Sequence, residues 1–139
     1  MNNKYFLLTA VLSAFILSGC ISIKINESTS LEGTTWKADT LLAEKINVMP
    51  GNEITLNLDE DNNKINGFGG CNTYFGNYIK DGDKINFSEI GSTKKACSLL
   101  TTENLYFSTL KKVDKYKIIN KTLYLYSFGA RVMALHKKE

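Results

Sequence analysis

Alternation of apolar and polar residues dominates the chain from its second quarter onward. Between Glu53 and Leu58 the apolar side chains Ile54, Leu56 and Leu58 alternate with polar ones, which is the period of a β-strand with one buried face. Turn-forming residues such as Asp81-Gly82 separate the stretches of this kind. The pattern predicts further strands within residues 34–42, 64–67, 74–79, 84–87, 116–119, 123–126 and 131–136.

Only one segment has clear helical periodicity. Its apolar residues recur every three to four positions and are Leu105, Tyr106, Leu110 and Val113. This spacing predicts a helix over residues 101–113. Thr101 or Thr102 can cap its start, and Glu103 in the first turn is favourably placed at the positive end of the helix dipole.

These elements predict an α+β fold that is mainly antiparallel β, because short connections join about seven or eight strands and a single helix. We expect a small, partly open β-barrel or a strongly twisted sheet, with the helix covering one mouth or face so that strand edges are hidden. Residues 31–139 are enough chain for one domain with one core.

The amino-terminal part of the chain has a different character. A 13-residue apolar run, Tyr5 to Leu17, follows Lys4, the only charge before it. As a helix it would span roughly 20 Å, which is short of the ~30 Å hydrocarbon core of a bilayer. The run therefore favours a cleaved secretory signal over a transmembrane helix, the other reading being a buried core segment.

The residues that close this run, Leu17-Ser18-Gly19-Cys20, resemble a bacterial lipobox. The resemblance implies that residues 1–19 are a signal peptide and that Cys20 becomes the first residue, carrying a thioether-linked diacylglycerol. Residues 20–30 would then be the lipidated cysteine and a flexible tether. Ile21 is not the aspartate associated with inner-membrane retention, so the resemblance favours the outer membrane where the organism has one.

The expected location outside the cytoplasm bears on the oxidation state of the cysteines. The chain has three cysteines, and lipid on Cys20 would leave Cys71 and Cys97 in an oxidising compartment. We predict a disulfide between them, which would close a loop of about 27 residues and stabilise the fold by roughly 3.5 kcal/mol. Two free buried thiols are the alternative, and the lone distant His136 does not complete a zinc site.

Gly67-Phe68-Gly69-Gly70-Cys71-Asn72-Thr73-Tyr74-Phe75-Gly76-Asn77-Tyr78 resembles the central motif of the META domain (HslJ-like) family. The opening Leu31 to Trp36, the segment Ser92 to Cys97 and the helix residues Glu103 to Leu110 resemble other parts of its pattern in the same order. The resemblance implies a small, mainly antiparallel β domain with one helix. It also implies an envelope protein tied to stress or secretion, and it carries no catalytic mechanism.

Candidate chemistry around these motifs is sparse. The glycines before Cys71 lack the strand and helix context of a phosphate loop and instead indicate a tight corner. Acidic turn residues such as Asp59 and Asp81 lack the calcium-loop pattern, and His136 is a single histidine near the end of the chain. We therefore expect no catalytic residue, no metal and no cofactor. A candidate interaction surface consists of Asn72, Tyr74, Phe75 and Tyr78.

Together these patterns predict a non-enzymatic, monomeric lipoprotein of the cell envelope, acting in envelope stress tolerance or as a protein-interaction module. The lipid would hold it at a membrane, and another envelope protein would be its partner. The formal charge is only +3 with lysines in scattered pairs, so we expect no nucleic-acid partner. The alternative is a module that binds a hydrophobic small molecule or a lipid inside the barrel.

Overall fold

The computed structural model describes residues 28–139, so the predicted signal peptide, Cys20 and most of the tether lie outside the described residues. Nine strands and one helix form within that part of the chain. The strands are β1 (Trp36–Leu41), β2 (Glu44–Lys45), β3 (Thr55–Asp59), β4 (Lys64–Phe68), β5 (Thr73–Asp81), β6 (Lys84–Ser92), β7 (Lys115–Ile119), β8 (Thr122–Ser127) and β9 (Ala130–Lys137), and the helix is α1 (Leu100–Leu110).

The strands form one antiparallel sheet that closes on itself. From β3 to β9 each strand pairs with the next in sequence, and β1 pairs with both β3 and β9. The result is a ring of strands with one helix, as the alternating pattern predicts. The strand beyond the expected seven or eight is β2, which has only two residues and pairs with the end of β1.

Alternating residues of the strands fill the interior of the ring. On β8 the side chains of Leu123 and Leu125 are buried, and they oppose Leu135 and Met133 of β9. Trp36 is fully buried and its indole N–H donates to Leu31 O at 2.9 Å. The indole N–H is the only polar group of the Trp36 side chain, and this hydrogen bond replaces the one it would make with water.

The aromatic residues differ in burial. Trp36 and Phe87 are buried. Phe68, Phe107 and Tyr124 are half-buried. Phe107 still packs against the core cluster.

The helix differs from its prediction at both ends. It begins at Leu100 after Leu99, which makes no side-chain capping bond, so Thr101 and Thr102 lie inside the first turn rather than at the cap. It ends at Leu110, and Leu105 is exposed instead of sharing the buried face. Tyr106 and Leu110 join the core of the ring, and Val113 follows them from the next turn.

Two strands approach each other closely at Gly67. A Cβ at this position would lie 2.1 Å from Thr55 O of β3 and 2.8 Å from the ring of Tyr74. Neither atom can move freely, because one is backbone and the other belongs to a buried side chain. The glycine therefore sets the distance between β3 and the end of β4.

We expect Gly67→Ala to lower the free energy of unfolding by about 1–3 kcal/mol, since an added methyl group overpacks a site with no space. Chemical denaturation measures the loss. Gly91→Ala is the matched control: its Cβ would lie 3.0 Å from the ring tip of Phe75, an exposed side chain that can rotate away. Equal stability of the Gly67 variant and wild type would contradict the close approach.

Candidate functional site: the buried polar network at the disulfide

A disulfide joins the corner between β4 and β5 to the segment before α1. It links Cys71 to Cys97, whose Cα atoms are 5.9 Å apart, within the usual range for such bonds. Cys71 is buried and Cys97 is exposed. The bond therefore lies at the boundary between the interior and the surface, and it ties two segments that are 26 residues apart in sequence.

Glu103 brings a buried carboxylate from α1 to the same corner. Only 1% of the residue is exposed. Its Oε2 accepts hydrogen bonds from the backbone N–H groups of Cys71 and Asn72 at 3.1 and 2.6 Å. Its Oε1 accepts another from Asn72 Nδ2 at 2.7 Å. Three donors replace the water that burial removes, which is the condition for placing a carboxylate in the interior.

Asn72 extends the network to the segment that carries Cys97. Its Oδ1 accepts hydrogen bonds from Thr93 Oγ1 at 2.8 Å and from Lys95 N at 2.7 Å. Its Nδ2 donates to Lys95 O at 3.1 Å as well as to Glu103. The amide thus bonds the facing loop and the helix, and it connects the two.

Gly69 leaves the space that Glu103 occupies. A Cβ at position 69 would lie 2.6 Å from Glu103 Oε2 and 2.8 Å from the ring of Phe107. The adjacent Gly70 has a positive φ of 103°, which a residue with a side chain rarely adopts. The glycine-rich stretch is therefore a tight corner, as the sequence indicates, and its purpose is to admit a helix side chain.

A tyrosine pair continues the network into the core. Tyr74 OH donates to Thr55 O at 2.8 Å, so the 2.8 Å contact between the two hydroxyls is donated by Tyr106. The rings of Tyr74 and Phe107 meet edge to face at 5.1 Å, a favourable geometry. Burial raises the pKa of both Tyr74 and Tyr106, so the two groups remain neutral hydroxyls.

The polar groups of this network are used in holding the fold together. Within residues 28–139 no buried side-chain nitrogen or oxygen lacks a hydrogen-bond partner. The cysteines are paired with each other, and each donor to Glu103 is held by the fold. The network can clamp the β4–β5 corner, the loop before α1 and the helix together. It presents no activated nucleophile with an adjacent base.

The predicted interaction surface is wrong at three of its four residues. Asn72, Tyr74 and Tyr78 are buried, with 1%, 2% and 2% of their surfaces exposed. Alternation along β5 turns Tyr74 and Tyr78 inward, and the bonds of Asn72 to the loop and the helix remove it from the surface. Phe75, which points outward from β5, is 65% exposed and is the one member that remains available.

Sequence reasoning missed the role of Glu103. We placed it at the helix start for its charge, whereas it lies on the buried face with Tyr106 and Leu110. The signal was available in the spacing, because Glu103 precedes these residues by three and seven positions and so shares their side of the helix. A carboxylate on an apolar stripe indicates a specific buried partner.

The remaining candidates take no part in this network. His136 lies on β9, and its Nδ1 is 2.5 Å from Asp39 of β1. Asp59 accepts hydrogen bonds within its own turn, from Asp61 N and Asn62 Nδ2.

Among residues 28–139 no group of histidine, cysteine and acidic residues has the geometry of a metal site. In the same range no helix is both long and apolar enough to cross a bilayer.

Comparison with known proteins gives a family match and two similar folds. The model of the META domain family matches residues 29–139. A protein from Burkholderia xenovorans, solved by NMR, has a TM-score of 0.65 and 23% identity, covering 78% of this chain and 83% of its own. A second NMR structure has a TM-score of 0.62 and 13% identity, covering 78% of this chain and 94% of its own. No curated protein matches the chain.

We expect Glu103→Gln to lower the free energy of unfolding by about 1–3 kcal/mol. The amide keeps the shape of the side chain, but its NH₂ group must face either Asn72 Nδ2 or the two backbone N–H groups, and all of these are donors. Denaturant unfolding measures the loss. Asn104→Ala, at the exposed neighbouring position, should change stability by less than about 0.5 kcal/mol, and a similar effect of both substitutions would refute the buried role of Glu103.

Reductant should lower the melting temperature of the wild-type protein by an amount on the order of 10 °C, as expected for a loss of about 3.5 kcal/mol. The reduced protein should remain folded, because Asn72 still bonds the loop at Thr93 and Lys95. Thermal unfolding with and without dithiothreitol tests this. Cys97→Ser should melt like the reduced wild type and should not respond to reductant, and a reductant-insensitive wild type would sink the prediction.

Proposed function

Because the chain belongs to the META domain family, we propose that it is a non-enzymatic interaction module of the cell envelope, held at a membrane by lipid on Cys20. The fold supplies a rigid support, and the partner is another envelope protein. A contribution to envelope stress tolerance would follow from that association. Three features support the proposal: a structural role for the buried polar groups, exposed apolar residues on β5, and the lipobox-like sequence.

The absence of an enzymatic role is supported by the polar groups of the described residues. The strongest cluster, around Glu103 and Asn72, is fully hydrogen-bonded within the fold. A catalytic carboxylate needs access to substrate and a pKa suited to proton transfer, whereas Glu103 is sealed beneath the corner. Fixed polar networks of this kind specify packing and keep the support rigid.

The outer face of β5 is the observation that carries the proposed interaction. Phe75 and Ile79 are 65% and 73% exposed and point to the same side of the strand, four residues apart. Asn77 lies between them, where it accepts a 2.6 Å hydrogen bond from Lys64 Nζ and donates to Glu89. Exposed aromatic and aliphatic side chains beside hydrogen-bonded polar groups supply the kinds of contact that protein interfaces use.

The chain enters the ring at a defined point, which suits a tethered domain. The Glu32 carboxylate forms an ion pair with Lys80, with 2.5 Å between Oε1 and Nζ. The same oxygen accepts a hydrogen bond from Tyr78 OH. Burial and this carboxylate raise the pKa of Tyr78 to about 12. The eleven residues from Cys20 to Ser30 would therefore connect the lipid to a domain that is anchored at its second residue, Glu32.

The alternative, a ligand inside the barrel, has no structural observation in its favour. The interior positions of the ring are occupied by large side chains, including Trp36, Tyr106 and Leu125. These residues belong to one continuous core cluster, as expected for a small ring of strands whose side chains fill it.

Site-specific photo-crosslinking in the acylated full-length protein tests the proposal. A photoreactive phenylalanine analogue is placed at position 75 in one variant and at position 79 in another. In intact membranes both variants should yield the same discrete crosslink to one partner protein. The analogue at Leu105, an exposed apolar position on α1, is the matched control and should yield none. Mass spectrometry of the purified protein should show a chain that begins at Cys20 and carries acyl mass, and Cys20→Ala should release the domain from the membrane and reduce the adduct.

Two results would overturn separate parts of this proposal. A mature protein that keeps residues 1–19 would remove the lipid anchor. Adducts that are equally strong from position 105, or absent from both 75 and 79, would remove the β5 face as the interaction surface.

A further inference from the structure

Two hairpin turns of the ring place apolar residues where turn geometry favours small polar ones. Leu42-Ala43 joins β1 to β2, and Phe128-Gly129 joins β8 to β9. All four residues have positive φ: 51° and 68° in the first turn, 49° and 81° in the second. Such two-residue turns prefer Asn-Gly or Asp-Gly, because a bulky side chain is strained at positive φ.

The apolar side chains at these turns are exposed, and Phe128 is almost fully so. Phe128 is 93% exposed and Leu42 is 46% exposed. The Phe128 position is also fixed, because its N–H donates to Asp114 Oδ2 at 2.7 Å and Asp114 N donates to Tyr126 O at 3.0 Å. The fold therefore holds a phenylalanine outward in a strained conformation, without any benefit to folding that would explain it.

The two turns lie at the same end of adjacent strands. Leu42 N donates to Val132 O of β9 at 2.8 Å, and β9 begins at Ala130 directly after Phe128-Gly129. Strand geometry places the two tips roughly 10–15 Å apart. Leu42 and Phe128 thus form a pair of apolar projections from one rim of the ring.

Basic residues lie close to these projections along the chain. Lys111 and Lys112 are exposed and precede Asp114 by three and two residues. Arg131 is exposed three residues after Phe128 and stacks over Tyr124 with 5.4 Å from its guanidinium carbon to the ring centroid. Lys45 is exposed on β2, beside Glu44. These four basic residues outnumber the two acidic ones in the same segments, Glu44 and Asp114.

We propose that this rim, defined by Leu42, Phe128, Lys111, Lys112 and Arg131, binds the surface of a bilayer that contains anionic lipids. Phe128 and Leu42 enter the interface between headgroups and acyl chains, and the basic side chains contact the headgroups. Apolar side chains flanked by cations are the usual composition of interfacial membrane contacts. Separate convex tips suit a deformable lipid surface better than a protein partner, whose interface needs about 800 Å² of complementary surface on each side.

The rim lies at the opposite end of the ring from the point where the chain enters. Trp36 pairs with Lys137 at the end of β9, whereas the tips adjoin the first residues of that eight-residue strand, which spans about 25 Å. The eleven residues from Cys20 to Ser30 can extend over up to about 37 Å. A lipid at Cys20 and the rim can thus contact one bilayer, but binding by the rim does not depend on that lipid.

Vesicle binding by residues 28–139 tests the inference, because these residues contain the complete ring and its core. We expect sedimentation with vesicles of phosphatidylcholine and phosphatidylglycerol, little with phosphatidylcholine alone, and weaker binding as salt rises.

Phe128→Asn should weaken binding about tenfold or more. Its melting temperature should be unchanged or higher, because the turn becomes Asn-Gly. Lys111→Gln and Lys112→Gln should each weaken binding about fivefold.

Ile119→Ser is the matched control, since Ile119 is also an exposed apolar residue but adjoins the β7–β8 turn at the end of the ring opposite the rim. Its vesicle binding should equal that of the wild type. Equal binding to neutral vesicles, equal losses from Ile119→Ser and Phe128→Asn, or full binding by Phe128→Asn would each overturn the inference. Sedimentation velocity without vesicles distinguishes another occupant: a dimer that Phe128→Asn dissociates would assign the rim to a second copy of the chain instead.

Discussion

The structure depends on a carboxylate that is buried where three segments meet. Glu103 belongs to the helix, but its hydrogen-bond donors belong to the β4–β5 corner, and one of them, Asn72, also holds the loop before α1. Leaving a buried carboxylate without donors is far more costly than a lost hydrogen bond between neutral groups. The position of the helix and the conformation of the glycine-rich corner are therefore determined together, and the disulfide adds a covalent link to segments that are already bonded.

Much of the fold could be predicted from local pattern, whereas the site could not. Alternation identified most strands because each presents one face to the core, as Leu56 and Leu58 of β3 do. The pattern left open whether the sheet closes into a barrel, since the pairing of β1 with β9 joins residues about one hundred positions apart. Asn72 was mistaken for a surface residue because its burial depends on a helix side chain and a loop that approach from elsewhere in the chain. The inward direction of Tyr74 and Tyr78, by contrast, follows the alternation along β5 and could have been predicted.

Interior and surface have separate roles in this protein. Polar groups inside the ring, such as the hydroxyls of Tyr74 and Tyr106, bond to one another. The apolar side chains that the fold leaves outside, Phe75 and Ile79 on β5 and Phe128 at a turn, contribute little to folding. A rigid interior supports the exposed side chains on a fixed backbone, which lowers the ordering cost of any contact that they make.

Pairing of the first long strand with the last has a consequence for the newly made chain. As the polypeptide emerges from its amino end, β1 lacks β9 until residue 137 is released, and its edge remains open to other chains. Ring closure is thus a late event, because loop closure over the whole domain must precede the final pairing. A chain that stops before β9 can form the hairpins from β3 to β8 but leaves one edge of β1 unpaired, so only the complete domain is protected against association along that edge.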